Sequence, residues 1–167
     1  AALNAIGGIG KIRSAVIDDC ALARELKRNG PIWLGLSRDV RSIRPYDGLA
    51  GIWQMVARSA YDQLGYSPLM LAGTVAGMLI VYLAPPLLAL GQPWHGSALA
   101  ASVGGAAWVL MAFSYIPTLR LYRQPPVLGL LLPAAGVLYD LMTLDSALAY
   151  YRGRGAYWKG RAQAPIR

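Results

Sequence analysis

A chain of 167 residues that is 56% hydrophobic, only 14% charged and +8 in net charge is not an ordinary soluble domain, since those carry about 25% charged residues. Its one cysteine, Cys20, excludes an intrachain disulfide framework and a cysteine zinc site, and its one histidine, His95, excludes a multi-histidine metal centre. A basic excess can serve nucleic acid, but here Lys and Arg flank apolar runs, the placement that suits anionic lipid headgroups and a cytoplasmic face. Nucleic acid is therefore not an expected partner.

Residues 1–66 hold nine Lys/Arg and six Asp/Glu and read as mixed α/β. A short helix from Ala1 to Ile6 is expected to end at Gly7 and Gly8. Asp18 or Asp19 then caps a helix reaching about Asn29, with Leu22 and Leu26 at helical spacing, Lys27 and Arg28 suited to the C-terminal dipole, and Gly30 as the stop. Residues 32–36 and 40–43 are rich in Ile, Val, Leu and Trp and read as short strands. The chain begins with Ala1, and no charged segment precedes a short apolar stretch, so no signal peptide is expected and an upstream part is expected to be missing.

From Leu49 the period becomes helical. Leu49, Ile52, Trp53, Val56, Ala57, Ala60, Tyr61 and Leu64 fall on one stripe, while Gln54, Arg58 and Asp62 lie four apart on another. A Trp/Tyr-bearing amphipathic helix next to an apolar run is expected to lie in the membrane interface, over residues 48–66.

From Ser67 to Leu119 there is no Lys, Arg, Asp or Glu, long enough for two spans of about 20 residues each. The first is expected over Pro68 to Leu90, kinked at Pro85 and Pro86. The second is expected over Ser97 to Leu119, where Ala100 with Gly104, and Ala101 with Gly105, place small residues four apart for close helix contact. Arg120 and Arg123 put both outer ends on the cytoplasmic side, and leave His95 in an outside turn with no assigned role. A third apolar segment, Val127 to Tyr150, contains Pro133, Asp140 and Asp145. A straight span would carry the basic tail from Arg152 outside, so a re-entrant hairpin bent near Pro133 is favoured over a crossing. The expected organisation is 1–47 as an α/β part, 48–66 as the interfacial helix, 67–151 as the membrane region and 152–167 as a basic cytoplasmic tail.

Three constellations could carry chemistry. Asp18 and Asp19 at a helix start could cap it, serve as a rigidly held base for a hydroxyl, or do both. Gln54 and Arg58 share a helix face; an Arg there could bind a diphosphate, or simply pair with Asp62. The tail around Trp158, Lys159 and Arg161 could anchor the chain at the interface or fold back over a phosphate-bearing site. No P-loop, Ser/His/Asp set or metal-ligand cluster is present in the sequence.

Gly7-Gly8, AVIDDCALA at 15–23, RSIRPY at 41–46, MVARS at 55–59, APPLL at 84–88 and WKGR at 158–161 follow in an order and spacing that resemble the family 2 glycosyltransferases with a membrane-embedded C-terminal region. The likeness is to the hopene-associated glycosyltransferases of bacteria and, more distantly, to ceramide glucosyltransferases, and it runs over nearly the whole chain. It implies the C-terminal part of a GT-A domain, hence an α/β fold followed by membrane helices in a bacterial inner membrane, with the catalytic side cytoplasmic. It implies transfer of a sugar, with inversion, from a nucleotide-sugar donor to a lipid acceptor.

By the same likeness Asp19 matches the catalytic base and Asp18 the acid before it, while Gly7 and Gly8 match a turn near the acceptor site. Gln54 and Arg58 fall near the family's Gln-x-x-Arg-Trp motif, with one extra residue between them and Ser59 in place of Trp; Trp158, Lys159 and Arg161 match the closing basic segment. The donor-binding strands and the Asp-x-Asp motif that holds Mg or Mn would lie upstream of Ala1, so no metal ligand is expected in this chain and the fragment is expected to be inactive alone. Two rival readings need no transfer chemistry: a membrane anchor or assembly module, and a small transporter subunit using Asp140 and Asp145 as intramembrane ionisable groups.

Overall fold

The computed structural model describes residues 2–15, 17–33, 35, 37 and 48–153, together with the backbone of 157–158 and 161–162. It divides into two compact units, Ala1–Ser67 with Thr143–Arg167, and Pro68–Met142. Helix α8, Leu132–Tyr151, contributes residues to both.

The first unit begins with a short helix α1, Ala2–Ala5. It closes as the sequence predicts: the Gly8 amide donates to the Leu3 carbonyl and the Gly7 amide to the Asn4 carbonyl, each at 3.0 Å, a Schellman end. Gly7 has φ 86°, the left-handed value that such an end requires and that favours glycine. A 3-10 turn, Ile9–Ile12, buries Ile12 and leads to α2, Asp18–Lys27. The cap of α2 is Ile17, with φ −110° and ψ 83°, so Asp18 and Asp19 stand inside the first turn rather than at the cap expected for them. The helix stops at Lys27 with Arg28 as C-cap, and Gly30 follows with φ 148°.

The α/β expectation fails. Residues 32, 33 and 35 form no strand, Trp33 is 87% exposed, and the second strand candidate, 40–43, lies outside the described residues. Among the described residues the only strands are β1, Tyr157–Trp158, and β2, Arg161–Ala162, paired antiparallel with Tyr157 opposite Ala162. Most of the other described residues are helical, and no GT-A sheet is present among them. No described strand lies beside residues 32, 33 and 35 to satisfy their amides, and isolated strands are not stable in water.

Helix α3, Gly48–Gln63, packs its end against the end of α8 in the same unit. Tyr61 is 1% exposed and is the hub. Its hydroxyl donates to the Tyr66 carbonyl at 2.9 Å and lies 2.8 Å from the Tyr151 hydroxyl, and its amide donates to Ser146 Oγ at 3.0 Å. Tyr66 stacks on Tyr150 at 4.6 Å between centroids, and Tyr61 meets both edge-on. Two turns earlier on α3 the Trp53 indole donates to Asp145 Oδ2 of α8 at 2.8 Å.

In the second unit, α4 (Pro68–Met78) and α5 (Ala84–Leu90) are joined by a π turn, Leu79–Leu83. Pro85 and Pro86 explain it. Neither can donate to a carbonyl one turn back, and a proline ring collides with the carbonyl four residues earlier. Widening the preceding turn, with the Ala84 amide reaching back to the Leu79 carbonyl, moves those carbonyls clear. A short helix α6, Gln92–His95, makes the turn. His95 satisfies it at both ends: Nδ1 accepts from the Ser97 amide at 3.1 Å, which leaves Nε2 as the donor to the Leu88 carbonyl at 3.0 Å. Ser97 then caps α7, Ala98–Leu121, by accepting from the Ala100 amide.

The expected small-residue contact is present. A Cβ added at Gly104 would stand 2.7 Å from both the Pro85 carbonyl oxygen and the Leu88 Cβ, whereas one at Gly105 would meet only the Ala89 Cβ at 3.9 Å. After α7 a 3-10 turn, Pro126–Leu131, runs into α8, with Pro133 in the first turn where its missing amide costs nothing. That turn lies beside the middle of α7: Gly129 abuts Ala112, and the Trp108 indole donates to the Leu130 carbonyl at 3.1 Å. Gly136 in turn abuts Tyr82.

Three helical stretches, Pro68–Leu90, Ala98–Leu121 and Pro126–Tyr151, are long and apolar enough to cross a membrane, which marks a multi-pass membrane protein.

Two expectations follow. Gly104→Ala forces a methyl into backbone and costs about 1–3 kcal/mol, whereas Gly105→Ala is neutral; thermal unfolding of both variants in one detergent separates them. Burial first, then the Tyr151 hydrogen bond, pushes the Tyr61 phenol up to about 12. A phenol raised in the folded state contributes stability that is complete below pH about 10 and is lost as pH rises through the folded value. Alkaline titration followed by Trp fluorescence should show that loss in the wild-type chain and a smaller one in Tyr61→Phe.

Candidate functional site

A cleft of about 440 Å³ lies within the first unit, between the start of α2 and one face of α3. Ile17, Asp18 and Asp19 form one wall, and Met55, Val56, Arg58, Ser59, Ala60 and Gln63 form the other. Met55, Ser59 and Gln63 are four residues apart, so a single face of α3 supplies them.

The acid pair is exposed and held by its own helix. Asp18 Oδ1 accepts from the Asp19 amide at 3.1 Å and Asp19 Oδ1 accepts from the Cys20 amide at 2.7 Å. Both carboxylates thus sit among the unpaired amides of a helix N-terminus, where negative charge is favoured. Toward the other end of α2, Glu25 pairs with Lys11 of the preceding 3-10 turn at 2.7 Å and with Arg28 at 2.7 Å. The Lys11 hydrogen bond holds the Glu25 carboxyl below its usual range, partial burial opposes this, and the Arg28 charge adds to it. On the opposite wall, Arg58 is half-buried, and Ser59 Oγ donates to the Met55 carbonyl at 3.4 Å.

The structure brings Asp18, Asp19 and Arg58 to one cleft. Gln54 is exposed on α3 and does not line it, and Gly7 and Gly8 form the closing turn of α1, also outside its lining. Trp158 and Arg161 are described only by the backbone of the β1–β2 pair, and Lys159 lies outside the described residues. Sequence reasoning missed Met55, Ser59 and Gln63 as a lining face. The signal was their four-residue spacing, which the stronger apolar stripe beside it obscured.

A divalent metal does not fit the cleft. Among the described residues no three His, Cys, Asp or Glu side chains come together, and the two acids present each already accept a backbone amide. What the arrangement can do is bring a carboxylate, a guanidinium and a hydroxyl to the same small ligand. Comparison with protein-family models, curated proteins and solved structures gives no match.

Because a carboxylate with a lowered folded value stabilises above the unfolded value, the Glu25 clamp should be intact at neutral pH and lost as pH falls through its folded value, below the ordinary glutamate range. Amide exchange in α2 should rise over that acid interval in the wild-type chain, and should already be fast at pH 7 in Glu25→Ala.

Proposed function

We propose that this chain is the acceptor-side, membrane-anchored part of a transferase that places a sugar on a lipid hydroxyl. The observation that carries the reading is the shared cleft: the acid pair of α2 faces Arg58 and Ser59 on a helix that leads, within a few residues, into the first apolar stretch. Its support is chemical. A hydroxyl nucleophile needs a base within hydrogen-bond reach, and Asp19 is rigidly presented for that role. Its carboxylate takes the hydroxyl proton as the oxygen attacks the anomeric carbon of a nucleotide sugar; the bond from that carbon to the diphosphate breaks on the opposite face, which gives inversion.

Asp18 adds negative charge beside the base, and Arg58 is suited to the departing diphosphate, which a guanidinium binds through two parallel hydrogen bonds. The nucleotide-sugar site is assigned to sequence outside this chain, and Mg or Mn, where used, would act there.

The lipid character of the acceptor is supported by the placement of α3. Its Trp53 and Tyr61 tie it to the end of α8, and its stripe of Leu49 and Ile52 remains exposed, as an interfacial helix requires. A cytoplasmic site in a bacterial inner membrane accords with the Arg120 and Arg123 pair after α7. The same rule favours a third segment that re-enters rather than crosses, so that Arg152 stays on the side of Arg120; the start of that segment beside the middle of α7 supports it.

Asp19→Asn in the full-length protein should leave helix content unchanged and lower transfer to a membrane-embedded acceptor by roughly 10²–10⁴-fold. Wild-type turnover in that variant would instead favour a non-catalytic anchor or assembly module.

A further inference from the structure

The cleft leaves one acid unused. Asp140 lies in the middle of α8 on its most buried stripe, formed by Pro133, Gly136, Asp140, Thr143 and Ala147 at alternating three- and four-residue steps. It is 4% exposed, and neither carboxyl oxygen has a hydrogen-bond partner among the described residues.

Among the described residues no ion pair reaches Asp140. The chain has no Lys, Arg, Asp or Glu from Ser67 to Leu119, which covers α4, α5, α6 and nearly all of α7. The titratable groups on those elements are Tyr82, whose Cβ lies against Gly136, Tyr115, which is 39% exposed, His95, whose two nitrogens are engaged by Leu88 and Ser97, and Arg120, exposed in the last turn of α7. On α8 itself Tyr139 is 47% exposed and Asp145 accepts from the Trp53 indole.

An ion with neither a countercharge nor a hydrogen bond is the least tolerable group in an apolar interior, and such groups neutralise instead. We propose that Asp140 is a proton-binding site inside the membrane region: its carboxyl carries a proton while α8 is packed and exchanges it only when water reaches the middle of that helix. The ligand is the proton itself, and the site is independent of the transferase reading, since it shares no residue with the cleft.

Infrared spectroscopy on the full chain in lipid nanodiscs at pH 7 tests this. The wild-type protein should show the carbonyl stretch of a protonated carboxylic acid, shifted in D₂O, and the isosteric Asp140→Asn should lose that band. Absence of the band from the wild-type spectrum, or its persistence in Asp140→Asn, overturns the proposal. Should Asp140→Asn fail to fold, the wild-type chain suffices. A hydrophobic carbodiimide takes the proton of a carboxylic acid on nitrogen and its oxygen on carbon, then rearranges to a stable N-acylurea, and peptide mass mapping should find the adduct on Asp140. Slower labelling on adding Na⁺ at constant pH would make the ligand a metal cation and would also overturn it.

Discussion

Between Ser67 and Leu119 no side chain carries a charge, so every stray backbone amide or carbonyl must find a partner in the backbone, in a neutral side chain or not at all. Much of the second unit follows from that constraint. The Pro85-Pro86 pair would strand carbonyls in an ordinary helix, and the π turn ahead of it is the local remedy. The turn between α5 and α7 is closed by a single imidazole in its neutral Nε2–H form, accepting one amide and donating to one carbonyl. In the 3-10 turn the Leu130 carbonyl accepts from the Trp108 indole. These are neutral solutions, which lose little when water is absent.

The same constraint explains what was legible in the sequence. Charge depletion over two span lengths announces the membrane helices by itself, and the Ala100/Gly104 spacing announces the close contact with α5, because a Cβ at Gly104 would stand 2.7 Å from the Pro85 carbonyl oxygen. The 3.6-residue stripe of α3 was equally visible. Residues 32, 33 and 35 form no strand: β-propensity there describes a surface that fits a sheet, and no sheet accompanies it among the described residues. The cap of α2 was misplaced by one residue, since Asp is a preferred cap type and Ile is not, and the chain conformation at Ile17 decides the matter. The links from Trp53 to Asp145 and from Tyr61 to Ser146 join residues 92 and 85 positions apart, which no local pattern encodes.

The cleft depends on that long-range packing. Arg58 and Ser59 lie on α3 between Trp53 and Tyr61, the two residues that lock the helix to the end of α8. On the other wall the acid pair rides on α2, whose tie to the preceding turn is the exposed Lys11–Glu25 pair. One wall is thus fixed by a buried aromatic cluster and the other by a solvated ion pair.

Helix α8 carries two acids five residues apart, and they meet opposite fates. Asp145 is exposed and receives an indole N–H. Asp140 is buried, and neither of its oxygens has a hydrogen-bond partner among the described residues. If burial of an acid were only incidental to helix packing, a leucine or alanine at 140 would fill the same stripe without the penalty, as Ala147 does two turns along. A carboxyl retained there has value only through its acidity, because its shape is matched by apolar residues and its hydrogen-bonding capacity is unused in the packed state. The group therefore makes physical sense as one whose charge state changes, and α8, anchored at Asp145 and Ser146 but bearing an unsatisfied acid in its middle, is the element whose packing such a change would act upon.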